Sequence, residues 1–458
     1  MDETTTRLAG YVAALEFTQL PAKIVDEARR RVLDTLGCAV AGLNGEPCRV
    51  ARTLASRAEV AGGARLLGSG RRVLPELAAF ANAAAARYLD GNDCYPGGGG
   101  HPSDAIPALL AVAEVTGADG CAFLAAVVAA YEVHYALLQA LQVRERGIDH
   151  VFYTGLASAV GAAKLLGLPA SGIARALSLA VVSDLPLEAT RRGEISMWKG
   201  CAAANAARNG VFAALLAAEG MTAPAAAIDG RNGLRQLLDG APLGPLGGED
   251  GAPFRLPEAD IKVLLTEYHA QGPVLAALSL RADLGGEPIA RVTVHSYRFA
   301  VVEATGNPEK LRPRTRETAD HSMPWLVAAA LVEGRFGDDL LTPEHFADER
   351  ILQMAQLVAI VEDPAFTRAF PDAFPCRVEI TTASGRTLSH TLRNPLGHHD
   401  APLSDAALEA KFRDLAGRAL PPERVEAALA ALRRLDQLDT LDPLLDALIA
   451  APDGAGTH

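Results

Sequence analysis

Up to about residue 260 this chain is a succession of alanine-rich apolar segments whose hydrophobic positions recur at helical spacing, with Gly and Pro as punctuation. Segments that apolar bury themselves chiefly by packing helix on helix, so a large helical bundle with short loops is expected. Residues 24–40, 74–89, 105–115, 121–141, 157–166 and 202–218 read as its helices. Ser103 is placed to cap a helix beginning near Asp104, whose carboxylate suits a helix start.

The pattern changes after residue 260. Residues 290–297 alternate as a half-buried strand does, and 377–382 with 387–392 read as a β-hairpin turning through Ala383-Ser384-Gly385-Arg386. Helical segments near 322–333 and 351–361 lie between them, and 406–420 and 422–435 return to helical spacing. The fold class expected is mainly α with α+β. A large helical domain, 1–264 completed by 397–458, is joined to a smaller α+β lid domain, 265–396. A soft tail follows Pro452.

At 458 residues the chain can bury a large core, and 49% hydrophobic against 21% charged residues excludes a disordered polymer. A formal net charge of −12 with no basic stripe argues against nucleic acid or an acidic membrane as partner. The six cysteines are scattered without CxxC spacing, which disfavours a disulfide framework and an iron–sulfur cluster and fits a reducing compartment. Met1-Asp2-Glu3 opens no signal peptide, and apolar runs such as 125–130 are too short to span a bilayer. A soluble, cytoplasmic protein is expected.

Three separated histidines sit in sequences suited to acid/base work. The loop Leu89-Asp90-Gly91-Asn92-Asp93-Cys94-Tyr95-Pro96, with Gly97–Gly100 and His101-Pro102-Ser103-Asp104, combines carboxylates and an imidazole on a backbone that can approach a ligand. The alternative is a surface loop with capping residues. Lys199 follows Trp198 at a helix entrance, where it can bind a carboxylate or exchange a proton, or simply snorkel in solvent. His269 stands beside Glu267 and Tyr268, and His321 beside Asp320 with Trp325 nearby. A neighbouring carboxylate can fix an imidazole's tautomer, though a single such His is more often structural. His150 follows Asp149 in a helix-entry loop. His398-His399-Asp400 reads as a loop rather than a metal site, and no HExxH, EF-hand or tetrahedral Cys/His pattern occurs, so no metal is expected. Walker, nucleophile-elbow and Rossmann contexts are missing as well.

Taken in order, these segments resemble the MmgE/PrpD family, which includes 2-methylcitrate dehydratases and cis-aconitate decarboxylases. The resemblance runs from Arg31-Val32-Leu33-Asp34-Thr35-Leu36-Gly37-Cys38 through the Asp90–Asp104 loop, Ser196–Lys199 and Glu267–Gln271 to Arg316–Ser322. It implies a helical domain with an α+β lid, a homodimer, and a pocket between domains for a small polycarboxylate. Asp90, Asp93, His101, His150, Lys199 and His269 would line that pocket, with Lys262 and Arg191 as weaker carry-overs. Cys94 stands where members often have Thr, and Trp325 where many have Tyr. Trp keeps only an N–H where Tyr has a hydroxyl.

The expected chemistry is a cofactor-independent lyase reaction on a hydroxy di- or tricarboxylate. A base takes the proton α to a carboxylate, and an acid protonates the departing β-hydroxyl. His101 and Lys199 are the proton-transfer candidates, Asp93 or Asp90 orients the site, and His150 and His269 bind carboxylates or relay a second proton. Cys94, Arg191, Lys262, His321 and Trp325 are expected to contact substrate. Decarboxylation of cis-aconitate, epimerisation of an iminodicarboxylate, or a silent carboxylate-binding scaffold would use the same residues.

Overall fold

The computed structural model describes residues 1–306 and 308–450; the tail after Pro452 lies outside them. The chain forms two compact units, one of residues 1–189, 200–259 and 404–458, the other of residues 190–199 and 260–403.

Unit 1 is built on closely packed helices. Ala22–Gly42 lies against Pro75–Tyr88, which in turn meets Ile106–Thr116, while Gly120–Ala140 packs on Val151–Leu165. In Pro75–Tyr88 the run Ala83–Ala86 is at most 2% exposed, so methyl groups rather than long side chains set the interhelical distance. Gly42 shows how tight this is. A Cβ there would stand 2.1 Å from the carbonyl oxygen of Ala85, a backbone atom that cannot rotate away. Gly42→Ala is therefore expected to destabilise by about 1–3 kcal/mol, read by urea unfolding; an unchanged midpoint would contradict this packing.

Two strands, β1 (Glu59–Arg65) and β2 (Arg72–Val73), form an antiparallel ribbon that the helical periodicity of this region concealed. Gly120–Ala140 corrects another expectation. By length and composition it is long and apolar enough to cross a membrane, although Glu132 and His134 interrupt the apolar stretch. Within unit 1 it is largely buried against neighbouring helices, as a core helix is.

Unit 2 holds a mixed sheet of β3 (Ile289–Ser296), β4 (Val358–Glu362), β5 (Cys376–Thr382) and β6 (Thr387–Leu392), in the order β4-β3-β5-β6. The hairpin β5–β6 forms in the expected residues, and alternate side chains of β5 are buried. The helix expected over 351–361 is instead a helix Glu349–Gln356 followed by β4, which pairs parallel with β3 (Val292 with Val358, Val294 with Ile360). β-Branched Val358, Ile360 and Val361 suit the strand, and their place beside β3 overrides a period that short runs leave ambiguous. Helices Tyr268–Asp283 and Met323–Glu333 pack against one another and against the sheet. The short piece Thr190–Lys199, read from the sequence as part of the helical domain, groups with unit 2. There the Ile195 N–H donates to Thr318 Oγ1 (3.0 Å), Thr315 Oγ1 donates to the Ile195 carbonyl (3.0 Å), and Glu194 pairs with Arg314.

Candidate active-site clusters

In unit 1 the expected loop is shaped by its own polar residues. Helix Pro75–Tyr88 ends two residues before Asp90, which takes a left-handed backbone (φ 53°) and turns the chain back. Arg87, in that last turn, is 1% exposed. Its guanidinium donates to Asp90 Oδ1 and, at 2.8 Å, to His101 Nε2; its Nε lies 3.9 Å from Asp104 Oδ2. The other ring nitrogen of His101, Nδ1, is 2.6 Å from the Asp93 carbonyl, which can only accept. His101 is thereby the neutral Nδ1–H tautomer.

Asp93 is wholly buried. Its carboxylate accepts from the Ser103 N–H (3.1 Å) and the Tyr131 hydroxyl (2.7 Å), with Arg31 Nε 3.7 Å away. Burial raises its pKa, and Arg31, Ser103 and Tyr131 pull against that rise. Burial likewise pushes Asp104 up to about 7, against the opposing charge of Arg87. Ser103 does not cap a helix as expected. Its N–H serves Asp93 and its hydroxyl accepts from Asn92 (2.8 Å), because Pro102–Ala105 is a 3-10 turn leading into Ile106–Thr116.

The glycine run is held from beneath. His134 Nε2 donates to the Gly99 carbonyl (2.8 Å), and the Tyr95 N–H to that of Gly100 (2.9 Å). Gly100 has φ +77°, and a Cβ there would sit 2.5 Å from the His150 ring. That close approach brings the His150 and His101 rings to 5.8 Å, with His150 Nδ1 3.1 Å from Asp149 Oδ1. Cys94 is buried within the same loop.

His134 makes the loop pH-sensitive. Burial lowers its pKa from 6.5 to about 4. The unfolded chain then binds the extra proton between those values, so stability present above pH 6.5 is lost as pH falls towards 4, by about 3 kcal/mol. His134→Gln, which keeps a donor for Gly99, should show a shallower decline in urea melts across that range. Parallel declines would contradict the assignment.

In unit 2, Lys199 is 1% exposed, so it is no snorkelling surface lysine. Its Nζ bonds both oxygens of Asp320 (3.0 and 2.9 Å), and His321 Nδ1 shares Asp320 Oδ1 at 2.5 Å. The Glu267 N–H donates to the Asp320 carbonyl (3.0 Å), tying this cluster to the start of the helix that carries His269. His269 Nδ1 is 2.5 Å from the Tyr297 hydroxyl, in a wall made by Phe299 and Phe374. Gln271 folds back to bond both backbone groups of Leu264 (2.9 Å each) and the Thr266 hydroxyl. Lys262 is buried and Arg191 half-buried. Trp325 lies inside the core of unit 2, edge-on to Phe346.

Asp260, His398 and His399 also gather, with ligand atoms within 4.8 Å of one another. Asp260 accepts from the Tyr268 hydroxyl and from the N–H and Nδ1–H of His399. His398 Nδ1 accepts the Asp400 N–H (3.0 Å), so its ring proton is on Nε2. These hydrogen bonds make Asp260 a pin for the 397–401 loop.

Unit 1 thus brings together Asp90, Asp93, Cys94, His101 and His150, and unit 2 brings Lys199 together with His321. Sequence reasoning missed Arg87 and Tyr131 in the first cluster, gave Asp104 only a helix-start role, and missed the Lys199–Asp320 pairing in the second. Arg87 stands only three residues before Asp90, in the last turn of the preceding helix, and that closeness in sequence could have flagged it. Nothing local links Tyr131 to Asp93.

Residues 6–243 match the MmgE/PrpD N-terminal domain and residues 266–437 the MmgE/PrpD C-terminal domain. The chain is 29% identical to the 2-methylcitrate dehydratase of Cupriavidus necator, covering 94% of this chain and 93% of that one. It is 28% identical to the mitochondrial 2-methylcitrate dehydratase of Yarrowia lipolytica, over 94% and 87%. To an alkylcitrate dehydratase of a fungal species it is 27% identical, over 84% and 82%. With both domain models matched in order, the chain belongs to the MmgE/PrpD family.

Proposed function

We propose that this chain is a hydro-lyase that removes water from a hydroxy polycarboxylate such as 2-methylcitrate. Its relatives named for that dehydration cover almost its entire length. The observation that carries the reading is that both proton-transfer candidates, His101 and Lys199, are buried and bonded to charged partners. Neither is a solvated surface group.

In the proposed reaction a base takes the proton on the carbon α to a carboxylate. Negative charge grows on that carboxylate as an enediolate, and the carbon–oxygen bond at the β-carbon then breaks. An acid gives the leaving hydroxyl a proton. One proton is taken and one given, so the protein ends with its original charge. Arg87 and Lys199 are the cations available to carboxylates, and His101 and Lys199 the proton carriers. Asp93 acts by position, because its carbonyl orients His101 while its carboxylate is committed to Ser103 and Tyr131.

The test is the product formed by purified protein from 2-methylcitrate, citrate, cis-aconitate and iminodisuccinate, followed by ultraviolet absorbance and NMR. An unsaturated tricarboxylate from 2-methylcitrate supports the reading. Carbon dioxide from cis-aconitate, or solvent-proton exchange without water loss, would replace it with decarboxylation or epimerisation.

A further inference from the structure

We propose that Arg87 is a positioning residue for His101, holding the imidazole neutral by occupying Nε2 as a hydrogen-bond acceptor. The proposal rests on the reading of His101 as a proton carrier. Geometry fixes the ring at both ends: the Asp93 carbonyl requires a proton on Nδ1, and the Arg87 guanidinium requires a lone pair on Nε2. Arginine does not give up its proton in proteins, so the direction of the second bond is not in question.

Protonating Nε2 would break the Arg87 bond and set imidazolium against guanidinium at contact distance. Within unit 1, the described groups nearest the ring are engaged elsewhere. From the loop, Asp90 Oδ1 is 3.9 Å from Nε2 but is already bonded to Arg87. Asp104 faces Arg87 rather than the imidazole, and the Asp93 carboxylate is turned to Ser103, Tyr131 and Arg31. From the start of helix Val151–Leu165, His150 stands ring to ring at 5.8 Å with Asp149 at its own Nδ1. Arg87 therefore keeps His101 ready to accept a proton at Nε2 once its donor is drawn off, as a substrate carboxylate competing for the guanidinium would do.

The experiment is 15N NMR of histidine-labelled wild type and Arg87→Met, with the His101 signal assigned by its loss in His101→Asn. In wild type, Nδ1 should be protonated and Nε2 bare from about pH 8 to about pH 6, the span in which an ordinary imidazole titrates. In Arg87→Met, Nε2 should take up a proton across that span, and the acidic limb of kcat/KM should move to higher pH. A protonated Nε2 in neutral wild type, or identical titration in both proteins, overturns the proposal. The wild-type spectrum decides even if the variant does not fold. Absence of turnover in wild type would instead count against the dehydratase reading and leave the NMR result standing.

Discussion

His101→Asn should retain the fold and lose turnover of the preferred polycarboxylate by roughly 10²–10⁴-fold. Asparagine can place an N–H near the Asp93 carbonyl, where Nδ1 now donates at 2.6 Å, but offers nothing at the position of Nε2. The loop's other supports remain: Asn92 to Ser103 and Asp104, Ser103 and Tyr131 to Asp93, His134 to Gly99. A loss confined to kcat, with far-ultraviolet circular dichroism unchanged, identifies a proton carrier. A rise in KM alone would make His101 a binding residue, and full activity would remove it from the chemistry.

Asp320→Ala should be among the most destabilising single changes in unit 2, costing about 3–5 kcal/mol in urea unfolding. Lys199 and Asp320 are 1% and 0% exposed, and the ammonium bonds both carboxylate oxygens at 3.0 and 2.9 Å. Deleting the carboxylate removes both of these bonds to a buried ammonium and the one at His321 Nδ1, so less of the desolvation cost of Lys199 is offset. The double change Lys199→Met with Asp320→Leu removes the charge as well and should regain most of that stability while staying inactive. Equal stability of the single variant and wild type would mean that the pair is solvated in solution.

These two residues also show what could be read without coordinates. The hairpin at residues 376–392 was legible because alternation over six residues on each side of a Ser-Gly turn admits few other structures. The strand Val358–Glu362 was not, since a short apolar run directly after a helix carries no period of its own. Within the Asp90–Asp104 loop, residue types and glycines announced a site. Its inner wiring depends on Arg87 from the preceding helix and on Tyr131, 38 residues away from Asp93. Lys199 looked equally like a surface lysine because its partner lies 121 residues further along. Side chains that meet only after folding leave no local trace, and both clusters are built from them.

This family member should break a carbon–oxygen bond by moving one carbon-bound proton. The most direct measurement is 1H NMR of wild-type protein incubated with 2-methylcitrate. An olefinic product forming as 2-methylcitrate disappears, with no carbon dioxide, is the predicted result. Unchanged 2-methylcitrate alongside turnover of cis-aconitate to a decarboxylated product would contradict it.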